Sequence, residues 1–160
     1  LWLNLITPSF LEKESQIIAR ETDFKMEWHG LQVKGKVDRI DRANDGLVIL
    51  DYKTSGTAPS GVKDDGGKAK IDIQLPLYMD AVEQSFPDES INTAVYYSLT
   101  KRKIIKKARR NREELADFAR KVKLYLEQGD YPVAPDIEQK ACTYCSFDLV
   151  CRKGDRLKKL

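Results

Sequence analysis

The chain has 160 residues, a hydrophobic fraction of 41%, a charged fraction of 33% and a formal net charge of +3. That length and composition describe one soluble globular domain. No apolar run approaches the ~18 residues of a membrane span and no secretory signal is visible, while so small a net charge does not by itself imply nucleic-acid binding.

Taken in order, Thr7-Pro8-Ser9 predicts a helix start, since proline suits a first turn, and the partial stripe of Phe10, Leu11, Ile17 and Ile18 carries that helix to about Arg20. Phe24 to Trp28 alternates as a strand does, His29-Gly30 turns the chain, and Leu31 to Arg42 forms the next strand. Asn44, Asp45 and Gly46 tolerate the positive φ of a tight hairpin turn, so the chain reverses near Asn44 and Asp45. The continuous apolar run Leu47-Val48-Ile49-Leu50 then implies a strand buried on both faces. The expected core is a three-stranded meander.

A turn centred there sets Asp38 opposite Asp51. Opposed side chains have Cβ atoms about 5 Å apart, and like charges there destabilise the pair. With an effective dielectric near 20 the repulsion is roughly 3 kcal/mol, and a divalent cation between the carboxylates reverses its sign. Period-two geometry sends Lys53 to the same face as Asp51. Two acids and a lysine around Mg²⁺ or Mn²⁺ suit phosphodiester hydrolysis, with the metal polarising the phosphate and the lysine steadying water or developing charge. By spacing alone the same residues also fit the wet face of an amphipathic hairpin.

Residues 55–67 are rich in glycine and too long for a plain connector, which predicts either a substrate-facing loop or an unstructured one. A helix from about Ile71 to Gln84 places Gln74 and Tyr78 at i and i+4 on one face, with Gln74 near its N-terminus because Pro76 belongs to a first turn. Ile91 to Leu99, β-branched and aromatic, reads as a central strand returning parallel after a crossover helix. Eight of the twelve residues 101–112 are Lys or Arg, and Lys101, Arg102, Lys103, Lys106, Lys107, Arg109 and Arg110 form a candidate contact for DNA phosphates. The same run fits a docking face for another protein. Glu113 to Gln128 predicts a helix with Leu115, Phe118, Ala119, Val122 and Leu126 inward and Gly129 at its end. Past an extended linker, Cys142, Cys145 and Cys151 stand in a Cys-x2-Cys-x5-Cys array that reads as metal binding in a reducing cytoplasm, with iron–sulfur or zinc as the candidates.

These motifs, in this order, resemble the PD-(D/E)XK nuclease superfamily in its RecB-like branch. Gly35-Lys36-Val37-Asp38-Arg39-Ile40-Asp41 is similar to the family's second motif, Asp51-Tyr52-Lys53 to its third, and Gln74-Leu75-Pro76-Leu77-Tyr78 to its QxxxY motif. The three cysteines resemble those of iron–sulfur members such as AddB-type helicase–nuclease subunits. The resemblance implies an α/β fold, a restriction-endonuclease-like mixed β-sheet flanked by helices. It implies that Asp38 and Asp51 bind Mg²⁺ or Mn²⁺, that Lys53 is catalytic, and that Gln74 and Tyr78 belong to the active site, and it allows Glu21 as a further metal-site acid. A 4Fe-4S cluster follows for the full-length protein, with the fourth cysteine missing here. The chain begins at Leu1 without methionine, so it is expected to be a fragment of a longer protein. His29 does not match the family's upstream histidine and reads as a surface strand residue. Residues 1–135 are expected to form the nuclease core and 136–160 a C-terminal cysteine segment.

The expected function is a metal-dependent DNA nuclease, exonuclease more than endonuclease, within a recombination or repair helicase–nuclease, with DNA and a helicase subunit as partners and no membrane. The rival is a non-catalytic DNA-binding or partner-docking module whose acidic pair is vestigial.

Overall fold

The computed structural model of the chain describes residues 15–59, 61–63, 70–129 and 145–146. Three strands, β1 (Gln16–Trp28), β2 (Leu31–Ala43) and β3 (Gly46–Lys53), run as the expected antiparallel meander. A two-residue ribbon, β4 (Val62–Lys63) with β5 (Lys70–Ile71), interrupts the long connection, and α1 (Gln74–Ser85) then crosses over to β6 (Ile91–Ser98). Strand β7 (Lys103–Lys107) and helix α2 (Arg112–Gln128) follow. The main sheet has the order β1-β2-β3-β6-β7, with β6 parallel to β3 and every other pair antiparallel.

Turn chemistry fixes the meander. His29 and Gly30 both take positive φ, 50° and 81°, between β1 and β2. At the second turn Gly46 sits at φ 124°, where a Cβ would come within 2.5 Å of the Ser90 carbonyl oxygen. That carbonyl accepts the Leu47 N–H at 2.8 Å, so the glycine lets the chain before β6 lie against the start of β3. Arg39↔Leu50 and Ala43↔Gly46 bracket the β2–β3 register, as the turn at Asn44 and Asp45 requires.

Strand β3 is central and dry. Leu47 and Ile49 pack with Ile40, Leu75, Val82, Ala94 and Tyr96, while Val48 and Leu50 form a second cluster with Val95. Successive side chains thus bury on opposite faces, as the unbroken apolar run implied. Helix α1 covers the first cluster with Leu75, Tyr78 and Val82. Helix α2 is capped by Asn111, whose Oδ1 accepts the N–H groups of Glu113 and Glu114 at 3.2 and 3.3 Å, and it joins Met26, Trp28 and Ala81 through Leu115 and Ala119.

Two expectations need correction. Residues 16–20 are strand, not the end of a helix, because Gln16 and Ile17 pair with Arg42 and Asp41 and so lengthen β1. Sheet pairing overrides a weak helical stripe in which Ile17 and Ile18 are β-branched. What precedes residue 15 lies outside the described residues. Leu126, expected inward on α2, is 51% exposed, and Leu124 and Tyr125 are exposed with it. Apolar spacing reports a helical period, not the presence of a partner.

The chain divides into two compact units after Arg120, within α2. Of the second, the structure describes Lys121–Gly129 with Cys145 and Ser146. The expected boundary between residues 135 and 136 lies outside the described residues, as do Cys142 and Cys151, whereas Cys145 is exposed. Among the described residues no helix is long and apolar enough to cross a membrane.

Candidate active site

The end of β3 places Asp51 and Lys53, two residues apart, on one face of the sheet under the N-terminus of α1. Asp51 is 2% exposed. Its Oδ2 stands 2.6 Å from Lys53 Nζ and its Oδ1 accepts the Gln74 side-chain amide, Nε2, at 2.8 Å. Gln74 is the first residue of α1, preceded by a cap residue, Ile73, that makes no side-chain cap bond. One turn on, the Tyr78 hydroxyl accepts the second Gln74 N–H at 2.9 Å, and Gln74 Oε1 accepts from Lys53 Nζ at 3.2 Å. Asp51, Lys53, Gln74 and Tyr78 are thus in one hydrogen-bonded cluster.

Asp38 enters from β2. The β2–β3 ladder ends at Arg39↔Leu50, and the next residues outward are Asp38 and Asp51. There Asp38 Oδ2 accepts the Tyr52 backbone N–H at 2.8 Å, closing the ladder with a carboxylate in place of a backbone carbonyl. Burial pushes the Asp51 carboxyl above its ordinary pKa. Lys53 pulls it back, and the charges of Asp38 and Asp72 raise it again.

Glu21 lies between Arg20↔Arg39 and Thr22↔Val37 on β1, so it continues the row of Asp38 and Asp51 across three strands. Its φ is 44°, a left-handed conformation costly for a residue with a Cβ, and its side chain is exposed. Asp41, three residues from Asp38, plays a different part. It is fully buried and takes a two-pronged bond from Arg39, both contacts 2.6 Å. Nothing in the sequence separates the two acids except the register.

Two residues that the sequence motifs do not include complete the cluster. The Tyr96 hydroxyl, on the β6 residue paired with Asp51, lies 3.0 Å from Asp72 Oδ1 and 3.3 Å from Gln74 Oε1, and its ring lies 5.0 Å from Lys53 Nζ. Burial first, and then the Asp72 charge, push the Tyr96 hydroxyl far above its ordinary pKa, which keeps it protonated. Asp72 Oδ2 stands 2.8 Å from Lys106 Nζ. The signal for Asp72 was its place two residues before Gln74. For Tyr96 it was a hydroxyl in a strand that must otherwise be dry.

The basic run divides. Lys106 faces Asp72, and Arg110, 12% exposed, binds Asp80 and Glu83. Lys101, Arg102, Lys103, Lys107 and Arg109 are exposed. Lys101 lies over Gly56, in the loop that leaves β3.

The donors suit a hard divalent cation. Asp51 Oδ2 is buried with the Lys53 ammonium 2.6 Å away, and Asp72 Oδ2 faces the Lys106 ammonium at 2.8 Å. Among the described residues no three His, Cys, Asp or Glu side chains gather into a cage. A site of one or two carboxylates, completed by water and phosphate oxygens, is the mode Mg²⁺ uses.

A five-stranded mixed sheet with flanking helices, with an acid and a lysine two residues apart on its central strand, defines a restriction-endonuclease-like α/β fold. The chain belongs to the PD-(D/E)XK nuclease superfamily, whose signature matches residues 3–152. It is similar to the Gene 69 protein of Mycobacterium phage L5, 26% identical over 140 residues, covering 83% of this chain and 44% of that protein. The chain therefore spans less than half the length of this relative. A solved structure, that of SSO0001, overlays with a TM-score of 0.47 at 18% identity, covering 94% of this chain and 65% of the other.

Proposed function

We propose that this chain is a metal-dependent DNA nuclease domain that hydrolyses phosphodiester bonds, with water as the nucleophile. The observation that carries the reading is the bonding of Asp51 and Lys53 to one another and to Gln74, since it sets a buried carboxylate oxygen 2.6 Å from an ammonium at the end of the central strand. Asp38 and Asp51 hold Mg²⁺ or Mn²⁺, with water and phosphate oxygens completing the shell, while the exposed Glu21 stands apart from them on the neighbouring strand. A cation held there polarises the scissile phosphate and acidifies water. Lys53, oriented by Asp51 and Gln74, steadies the phosphate or the attacking water. Gln74 and Tyr78 hold Asp51 and Lys53 in place and keep bulk water from the buried side of the site. Lys101, Arg102, Lys103, Lys107 and Arg109 track the DNA backbone, while Lys106 anchors β7 to Asp72 and Arg110 anchors the segment after β7 to Asp80 and Glu83.

The experiment is cleavage of end-labelled linear DNA and of circular DNA, with Mg²⁺ and with Mn²⁺, by wild type, Asp51→Ala and Lys53→Ala. Both variants lose cleavage; Asp51→Ala also loses Mn²⁺ binding in calorimetry, whereas Lys53→Ala retains it. An Asp51→Ala protein that binds Mn²⁺ as wild type does would place the metal elsewhere. Cleavage of the linear form alone supports exonuclease action, the mode expected of a recombination or repair helicase–nuclease in the RecB-like branch. For the cysteines we propose iron–sulfur ligation in the longer protein, supported by the Cys-x2-Cys-x5-Cys spacing, which leaves one position of a Cys₄ site to another ligand. Iron and zinc analysis of the longer protein, with and without Cys142→Ser, decides it.

A further inference from the structure

The amide of Gln74 has four hydrogen-bonding positions, and each faces a partner. Its two N–H groups go to Asp51 Oδ1 and the Tyr78 hydroxyl, and its carbonyl oxygen faces Lys53 Nζ and the Tyr96 hydroxyl. Lysine has no acceptor, so Lys53 settles which end of the amide is oxygen. Tyr96 is less simple. A phenol has one proton, yet the Tyr96 oxygen lies within reach of two acceptors, Asp72 Oδ1 at 3.0 Å and Gln74 Oε1 at 3.3 Å. Only one can receive that proton at a time. When Asp72 takes it, two oxygens face each other between Tyr96 and Gln74. When Gln74 takes it, the amide is locked on every side and Asp72 depends on Lys106 alone.

We propose that Tyr96, Asp72 and Lys106 are positioning residues that set the orientation of Gln74, and through it the placement of Asp51 and Lys53. Lys106 lies on β7, inside the basic run, so its ammonium links the surface expected to meet DNA with a carboxylate buried in the site. The Lys106 ammonium stands 2.8 Å from Asp72 Oδ2, whose side chain is 10% exposed, so the pair holds Asp72 in place beside Tyr96. With Lys106 offsetting the Asp72 charge, the Tyr96 proton is free to turn to Gln74. This rests on the nuclease reading for its effect on rate, but not for its effect on geometry.

Tyr96→Phe removes the hydroxyl and keeps the ring. The test measures kcat and KM on a labelled duplex for wild type, Tyr96→Phe, Gln74→Ala and the double variant. It also follows the Gln74 side-chain amide signals by ¹⁵N NMR, assigned by their loss in Gln74→Ala. The expected result is a fall in kcat of about ten-fold for Tyr96→Phe, the size of one hydrogen bond, with KM nearly unchanged. Adding Tyr96→Phe to Gln74→Ala should cost little more, because residues acting through one another are not additive. The Gln74 amide signals should move in Tyr96→Phe and in Lys106→Met. Unmoved signals, or an equal ten-fold loss in the Gln74→Ala background, would overturn the proposal. A wild type that cleaves nothing would sink the nuclease reading and leave the amide signals to decide the positioning.

Discussion

Replacing Lys53 by methionine keeps most of the side chain's bulk and removes its charge, which strands the Asp51 carboxylate in a buried place. The Asp51 side chain is 3% exposed and Lys53 23% exposed, with 2.6 Å between their charged atoms. At an effective dielectric near 20, that separation is worth about 6 kcal/mol of gross attraction. Part of this is offset by the cost of burying both groups, and removing one partner of a buried pair costs roughly 3–5 kcal/mol net. We expect about 3 kcal/mol, the lower end, because Lys53 keeps some contact with water. Asp51→Asn in the same protein should recover most of that, since an amide still accepts from Gln74 and carries no charge. Mn²⁺ should recover it too, by standing where the ammonium stood. Urea unfolding of the metal-free variants, and of Lys53→Met with Mn²⁺ added, measures these effects. pH adds an independent check. Because burial holds Asp51 above its ordinary pKa, the folded state binds its proton more tightly than the unfolded state, so its stabilising contribution is present in acid and lost as pH rises through the raised value. Losing Lys53 raises that value further and widens the window. A Lys53→Met protein less than ~1 kcal/mol below wild type, or one that Asp51→Asn fails to rescue, would refute the reasoning.

Arg39→Met should cost about 3–5 kcal/mol in thermal melts by stranding the Asp41 charge, whereas replacing both partners with apolar residues should come close to neutral. Gly46→Ala should lose about 1–3 kcal/mol by the same assay, since its φ is 124° and the new Cβ meets the Ser90 carbonyl. Arg110→Ala should weaken the acid limb of the stability profile. The Arg110 guanidinium holds Glu83 below its ordinary pKa, a contribution present above the usual carboxylate range and lost as pH falls through the lowered value. Stability measured from neutral to acid pH should therefore flatten in the variant, and an unchanged slope would contradict the pairing.

The hairpin and its acids were legible because three independent signals agree there: residues that tolerate positive φ at Asn44 to Gly46, an apolar run needing two covered faces, and carboxylates at positions the register brings together. The parallel return of β6 was legible from the crossover length. What stayed hidden was anything decided by pairing at a distance. Gln16 to Arg20 follow β2 and not their own helical stripe. The register singled out Asp38, but the buried two-pronged bond from Arg39 to Asp41 had no signal in the spacing. Tyr96 looked like core, and it is core, yet its hydroxyl reaches across to Asp72. The basic run, uniform in sequence, is split by partners that lie on α1 and before it.

The crossover that carries β3 into β6 also has a kinetic meaning. Asp51 and Tyr96 are neighbours across a parallel pair, while Asp38 arrives from the antiparallel side of the same strand. No locally folding stretch of the chain contains all three. Parallel pairing requires the intervening loop and helix to close before any strand bond rewards them, which slows the search for the native state. The cluster should then be among the last features to form and among the first lost on unfolding. Activity should vanish in denaturant no later than global structure does, with no partly folded species that still cuts.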